Sequence, residues 1–226
     1  MGEHQGHRQR MKQKFMDGGL DGFHDHEVLE LMLFYTIPQR NVNGLAHALM
    51  DRFGSLSAVL DADPAELMKV DGIGEHTVSH LKLLPALMAR YLRSQGDEVG
   101  CITSAREAKR LLAPYFFGVR EETVYILCMD AKRKFLGVRQ VAGGSINAVA
   151  ITLRKVMAEA LALQASTVVL AHNHPSGIAL PSPDDIATTH KMEEALREVG
   201  IALWDHFIFA DDDMVSMRES GQMSEL

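Results

Sequence analysis

The sequence predicts a mixed α/β protein, with an all-helical N-terminal domain followed by strands and helices around one sheet. Three observations predict it. In the first half, apolar residues recur at three- and four-residue spacing, broken only by short Gly, Asp and Pro punctuation. That pattern stops at "RSQGDEVGCITS" (93–104). Beyond it, β-branched and aromatic runs alternate with helical segments, as in a layered domain with one sheet.

The helical run consists of "DHEVLELMLFY" (25–35), "VNGLAHALMDRF" (42–53), "SLSAVL" (55–60), "DPAELMKV" (63–70) and "EHTVSHLKLLPALMARYL" (75–92). Asp63-Pro64 is a start signal, an N-cap followed by proline at the first helical position. We place the boundary in 93–104, giving a helical domain over 1–97 and a second domain over 98–226. There a helix at about 104–114 precedes "TVYILCMD" (123–130), whose β-branched and aromatic residues read as a buried strand. "KFLGVRQVAGG" (134–144) is further strand ending in a glycine turn. "ITLRKVMAEALALQ" (151–164) is a helix, "TVVLAH" (167–172) a strand, "PDDIATTHKMEEALREVG" (183–200) a helix and "IALWDHFIFA" (201–210) a strand. "DDDMVSM" turns into a short last strand.

Composition limits the function classes. The 226 residues suffice for one large domain or two small ones with real cores, and 46% hydrophobic with 23% charged residues is ordinary for a soluble protein. No apolar run approaches the roughly 20 residues of a membrane span. The start, "MGEHQGHRQRMKQKF", has no apolar h-region, and position 6 is not the Ser or Thr of a myristoylation pattern. Its cations Arg8, Arg10, Lys12 and Lys14 are expected to be solvated. Cys101 and Cys128 alone supply neither a disulfide framework nor a thiolate zinc site, so a cytoplasmic location is expected. Net charge is −7: residues 1–97 hold 10 Lys+Arg against 13 Asp+Glu, and residues 98–226 hold 13 against 17. Neither half is the basic surface that phosphate neutralisation favours.

The chemistry concentrates in "AHNHPSGIALPSPDD" (171–185). His172 and His174 end an expected strand, where residues i and i+2 share one face, and two imidazoles on one face can grip one ion such as zinc. Pro175, Gly177 and Pro181 shape a tight loop. Ser182 as N-cap, Pro183 at N1 and acids in the first turn explain part of the stretch without a metal. That reading leaves the histidines unaccounted for. A loop returning the helix to the strand end would make Asp185 a third ligand, and three ligands plus water is the open coordination of a catalytic zinc. His24 and His26 repeat the spacing but straddle Asp25, an expected N-cap. With no comparable downstream carboxylate, they read as structural. Asp205 and His206 offer either a carboxylate that holds a ligand histidine or a capped strand end.

The assembled pattern, His-x-His, seven residues, Ser, two residues, Asp, resembles the JAMM (MPN-plus) metalloprotease signature. "HNHPSG", "PSPDD" and "DHFI" (205–208) resemble the bacterial RadC family more narrowly, and the likeness extends to "LMKVDGIGEHTVSHLK", similar to that family's helix-hairpin-helix segment (62–92 here). One departure is "IAL" at 178–180, where the family usually has an acidic or polar residue and a proline. The resemblance implies a cytidine-deaminase-like α-β-α domain in which His172, His174 and Asp185 bind one Zn2+ carrying a water. Ser182 would orient or stabilise the oxyanion side. It also implies an upstream glutamate as general base, Glu122 before "TVYILCMD". The rivals are Glu121, on the opposite face, and Glu159, which an ion pair with Lys155 would occupy. The implied reaction is amide or isopeptide hydrolysis of a peptide or protein substrate, without a covalent intermediate.

Gly72-Ile73-Gly74 sits between helical segments as a hairpin requires, and could approach a phosphate. Asp71 and Glu75 flank it, however, and Lys69 and Lys82 are the cations near it. A nucleic-acid-binding protein, with the metal site structural or vestigial, is therefore the alternative. RadC-like proteins have carried a DNA-repair label.

Overall fold

The structure is a computed structural model and describes residues 3–94, 100–143, 149–211 and 213–223. The chain divides into two units, Met1–Met88 and Ala89–Leu226.

The first unit contains α1 (Glu3–Gly18), α2 (Asp25–Thr36), α3 (Asn43–Phe53), α4 (Leu56–Asp61), α5 (Pro64–Met68) and most of α6 (Glu75–Ser94), inside which the divide falls. Leu29, Leu33, Leu49, Leu67 and Leu81, the apolar positions of the helical repeat, meet in its core. Asp63 caps α5 by accepting from Ala65 N at 2.7 Å, with Pro64 in the first turn. At α2 the cap lies one residue earlier than expected. His24 holds the N-cap, because the Glu27 carboxylate reaches back to accept from His24 N at 2.9 Å. His24 stacks near His26, and His26 on His47 with ring centroids 4.3 Å apart.

The basic start forms helix α1, in which Arg10, Lys12 and Lys14 are exposed, as expected of solvated cations, while Arg8 is half-buried. Arg8 donates to Phe34 O at 3.2 Å and Ile37 O at 2.7 Å, covering carbonyls that the end of α2 leaves open. The Arg8 guanidinium lies 4.5 Å over the Phe34 ring, and Lys14 Nζ 4.1 Å over Phe23. Cation–π contact gives a polar helix a packing face that apolar periodicity does not reveal.

The second unit holds α7 (Ala105–Phe116), β1 (Thr123–Met129), β2 (Phe135–Gly143), α8 (Val149–Ala162), β3 (Thr167–Asn173), α9 (Pro183–Glu198), β4 (Ala202–Ala210) and β5 (Asp213–Ser216). The strands form one mixed sheet in the order β2-β1-β3-β4-β5, antiparallel except for the parallel pair β3–β4. Strand alternation sorts the side chains into two layers. Ile126, Cys128, Val168, Leu170 and Ile208 pack with Val156 of α8 and Met192 of α9. Leu127, Met129, Val169, Ala171 and Phe207 pack with Leu111 and Leu112 of α7 on the other face. The result is the α-β-α arrangement. Cys128 is free and its thiol is pushed up to about 12 by burial, while Cys101 is free and exposed. Among the described residues, no helix is long and apolar enough to cross a membrane.

Candidate metal centre

β3 lies in the middle of the sheet and ends on Ala171-His172-Asn173. Alternation turns His172 toward the α8/α9 layer, beside Ile208 of β4 and opposite Val124 of β1. The chain then turns at Gly177, whose φ of 80° favours a residue without Cβ, and Gly177 N donates to His174 O at 3.1 Å. It re-enters a helix at Ser182, the N-cap of α9, with Pro183 in the first turn.

Capping chemistry is what aims Asp185. Ser182 Oγ accepts from Asp185 N at 3.1 Å, while Asp185 Oδ2 accepts from Ser182 N at 2.7 Å and Ser182 Oγ at 2.6 Å. The box thus holds the carboxylate at the helix N-terminus with its oxygens turned toward the end of β3. N-cap and site geometry are one arrangement.

Three side chains converge there. His172 Nε2 lies 2.9 Å from His174 Nε2 and 3.3 Å from Asp185 Oδ1, and His174 Nε2 lies 3.4 Å from Asp185 Oδ2. Among the described residues, this is the group of His, Cys, Asp and Glu whose ligand atoms all fall within 4.8 Å of one another. His24 and His26 join no such group. His174 Nδ1 faces the carbonyl of Ile178 at 3.0 Å. A carbonyl only accepts, so Nδ1 carries a proton and Nε2 is the nitrogen that faces the cluster. Two nitrogens and a carboxylate suit zinc, and tetrahedral Zn–N bonds separate ligand atoms by about 3.3 Å. The observed edges of 2.9 to 3.4 Å fit such an ion.

The electrostatics are those of an uncharged imidazole beside a charged carboxylate. Burial holds the His172 imidazole down to about 4, with Asp185 pulling it up and His174 pushing it further down. Burial also holds His206, fully enclosed, well below the usual histidine value. Burial alone would raise the Asp185 carboxyl, but the bonds from Ser182 and the neighbouring His172 outweigh it and leave it below its ordinary value.

Glu122 is not in the cluster. It is exposed, one residue ahead of β1, and its carboxylate has no hydrogen-bond partner among the described residues. Glu121 and Glu122 both precede β1, which begins at Thr123, so the alternation of that strand does not choose between them. Glu159 makes its ion pair with Arg139, at 3.7 Å, and not with Lys155, because α8 lies over β2. Asp205 does not hold a ligand histidine. Burial raises its carboxyl, which accepts from His206 N at 2.7 Å, Ser216 Oγ at 2.5 Å and Arg218 N at 3.1 Å at the start of the C-terminal turn.

Two contacts of the site were not drawn from the sequence, where His206 is weighed only as the neighbour of Asp205. His206 Nε2 lies 2.8 Å from His172 Nδ1, and its own Nδ1 lies 2.6 Å from Thr189 Oγ1 of α9. The signal was present in the alternation of "ALWDHFIFA", which puts His206 and Ile208 on one face, but only the β3–β4 pairing makes that face the histidine face. Asn173, between the two histidines, points the other way and bonds the segment leading into β1.

The description RadC-like JAB domain belongs to the family whose pattern matches residues 102–222, which include the whole cluster. A UPF0758 protein of Rhodobacter capsulatus is 34% identical over 211 residues, covering 93% of this chain and 99% of its own. The chain belongs to the RadC family. UPF0758 proteins of Ruegeria pomeroyi (34% over 217 residues, 96% of this chain and 97% of its own) and Fusobacterium nucleatum (30% over 226 residues, 97% of each) are similar over the same extent. RadC kinship therefore takes in the helical unit as well as the sheet, and the five-stranded mixed sheet agrees with a JAB/MPN-like domain.

Proposed function

We propose that this RadC-family protein is a zinc-dependent hydrolase of metallopeptidase type, cutting an amide or isopeptide bond in a peptide or protein substrate in the cytoplasm. One observation carries the reading: two imidazole nitrogens and a capped carboxylate face one another at 2.9 to 3.4 Å, a set of ligand atoms that one cation could bridge. His172, His174 and Asp185 would hold the ion. When bound, it supplies Lewis acidity and brings the pKa of a coordinated water to about 7.

The protein's own groups do the rest. Ser182 fixes the Asp185 carboxylate through two bonds to Oδ2, and its single hydroxyl proton, given to Oδ2 here, would have to turn to the substrate carbonyl to meet charge developing there. Glu122, at the mouth of β1, takes the proton of the attacking water and returns it to the leaving amine, a contribution of ~10²- to 10⁴-fold. Ser182 is bonded to a carboxylate and not to an imidazole, which disfavours a serine nucleophile with a histidine base.

The nucleic-acid alternative draws less support. Lys82 Nζ donates to Leu60 O at 2.7 Å and Ala62 O at 3.0 Å, and Lys69 is paired with Glu66, so both cations near Gly72–Gly74 are engaged within the helical unit.

Elemental analysis of the protein purified without added metal, beside His174→Ala and Asp185→Ala, tests the reading. Near-stoichiometric zinc in the parent, lost in both folded variants, is expected, with Glu122→Gln retaining zinc and losing peptide cleavage. A parent that holds no zinc after the metal is supplied and the excess removed overturns it, and the hairpin then becomes the site to test.

A further inference from the structure

A chain of short contacts runs from the helix backbone to the metal-facing nitrogen of His172. Thr189 Oγ1 lies 2.6 Å from Asp185 O, His206 Nδ1 2.6 Å from Thr189 Oγ1, and His172 Nδ1 2.8 Å from His206 Nε2. Thr189, His206 and His172 are all buried, so water does not complete their bonding.

Donor and acceptor inventory gives this chain a direction. The Asp185 carbonyl can only accept, so the single Thr189 hydroxyl proton goes to it. The other neighbour that hydroxyl could donate to, Met217 Sδ at 3.5 Å, is a weak acceptor and a poor competitor at that distance. With its proton committed, Thr189 Oγ1 accepts from His206 Nδ1–H. The neutral His206 ring then has a bare Nε2, which accepts from His172 Nδ1–H. His172 in turn has a bare Nε2, and that atom faces His174 and Asp185.

We infer that Thr189 and His206 are positioning residues that fix which nitrogen of His172 carries its proton, keeping the Nε2 lone pair turned into the metal centre. The function assigned to this relay rests on the zinc reading above; its direction does not. A ligand histidine is ordinarily held by a carboxylate or a backbone carbonyl on its far nitrogen, which sets tautomer and ring orientation. Here a second histidine stands in that place, and its own tautomer has to be set by a further partner. The helix carbonyl one turn before Thr189 is that partner, and it belongs to Asp185, itself the third ligand. A shift of the α9 N-terminus would therefore disturb the carboxylate ligand and the imidazole ligand together.

Long-range ¹H–¹⁵N spectra of the histidine rings in metal-free full-length protein read the assignment directly. The expected result is that His172 and His206 each carry their proton on Nδ1. In Thr189→Val the His206 Nδ1 loses its acceptor. The lower-energy arrangement then puts the His206 proton on Nε2 and the His172 proton on its own Nε2, facing the ligands. Competition titration with Zn2+ should then show a 10- to 100-fold weaker site. Thr189→Ser, which keeps the hydroxyl, should restore both the tautomers and the affinity. A His172 proton on Nε2 in the parent protein overturns the inference, as does a folded Thr189→Val with unchanged tautomers and zinc affinity. If Thr189→Val does not fold, the parent spectrum and Thr189→Ser still decide. Expected tautomers in a parent that binds no zinc would support the relay while sinking the metallohydrolase reading, so the two failures are distinct.

Discussion

The Asn173 side-chain oxygen accepts a hydrogen bond from Thr123 N at 2.8 Å, and its amide nitrogen donates to Glu121 O at 3.1 Å. The residue between the two candidate ligand histidines thus holds both backbone groups that flank Glu122. Strand alternation turns Asn173 away from the histidine face, so it acts on the route of the chain and not on the ion.

Asn173→Ala should therefore separate the two halves of the proposed chemistry. Removing the amide leaves a buried backbone N–H without its partner, which costs about 1–3 kcal/mol. Zinc content should stay at the parent level, because His172, His174 and Asp185 keep their contacts. Peptide cleavage should fall, because the segment presenting Glu122 is released. Urea unfolding, zinc analysis and an activity assay on one preparation check this, and loss of zinc in a folded variant would be the contrary result.

What the sequence made legible was local. The His-x-His spacing, the Ser182–Asp185 cap and the strand of Thr167–Asn173 each depend on period, propensity or capping within a few residues, and each could be read along the chain. Partners fixed by tertiary pairing could not. His206 lies 34 residues from His172 and meets it only through the parallel β3–β4 register, and Arg139 displaces Lys155 as the partner of Glu159 only because α8 covers β2. Helix α1 escaped for a related reason: its cations pack on the Phe34 and Phe23 rings and on the Phe34 carbonyl near the end of α2, a mode that apolar spacing does not signal.

The metal-free protein should lose stability as pH falls from about neutrality. His172 is held at about 4 against an ordinary 6.5, chiefly by burial. Above 6.5 the ring is neutral in both states and its titration is silent. Between 6.5 and about 4 the unfolded chain takes up a proton that the folded chain resists, so unfolding is favoured. Below about 4 both states are protonated and the loss levels off. The full shift corresponds to something on the order of 3 kcal/mol, and His206, depressed by burial as well, adds in the same direction. Asp205, raised by burial, opposes it over a window that starts at 3.8. Urea midpoints at pH 7.5 and pH 5 should differ accordingly, and equal midpoints would contradict the buried neutral imidazoles.

Lys82 distinguishes packing from phosphate binding at the hairpin. Its ammonium holds the carbonyls of Leu60 and Ala62 at the end of α4. Lys82→Met should destabilise the protein by about 1.5–3 kcal/mol, the value of hydrogen bonds from a charged donor. It should leave any retention on duplex DNA, and its salt dependence, unchanged. A stable variant with a reduced salt slope would instead restore Lys82 as a phosphate contact.

The loop between the second histidine and the cap carries the departure from RadC-like sequences, and the structure gives it a chemical meaning. Ile178 offers its carbonyl to His174 Nδ1 at 3.0 Å, so its backbone belongs to the site. Its side chain, at 59% exposure, and that of Leu180, at 65%, stand in solvent on either side of the buried Ala179. Replacing both by serine leaves the carbonyl in place, so zinc content and fold should not change. If these side chains cover an apolar part of the substrate, each buried aliphatic group stabilises the complex by about 1.5–3 kcal/mol. The double variant should then raise KM at least tenfold for peptides with large apolar residues beside the cut, with kcat held, the pattern of lost uniform binding. A peptide series varied at that position measures it. A KM that does not move, or zinc lost from the folded variant, would remove the loop from substrate recognition.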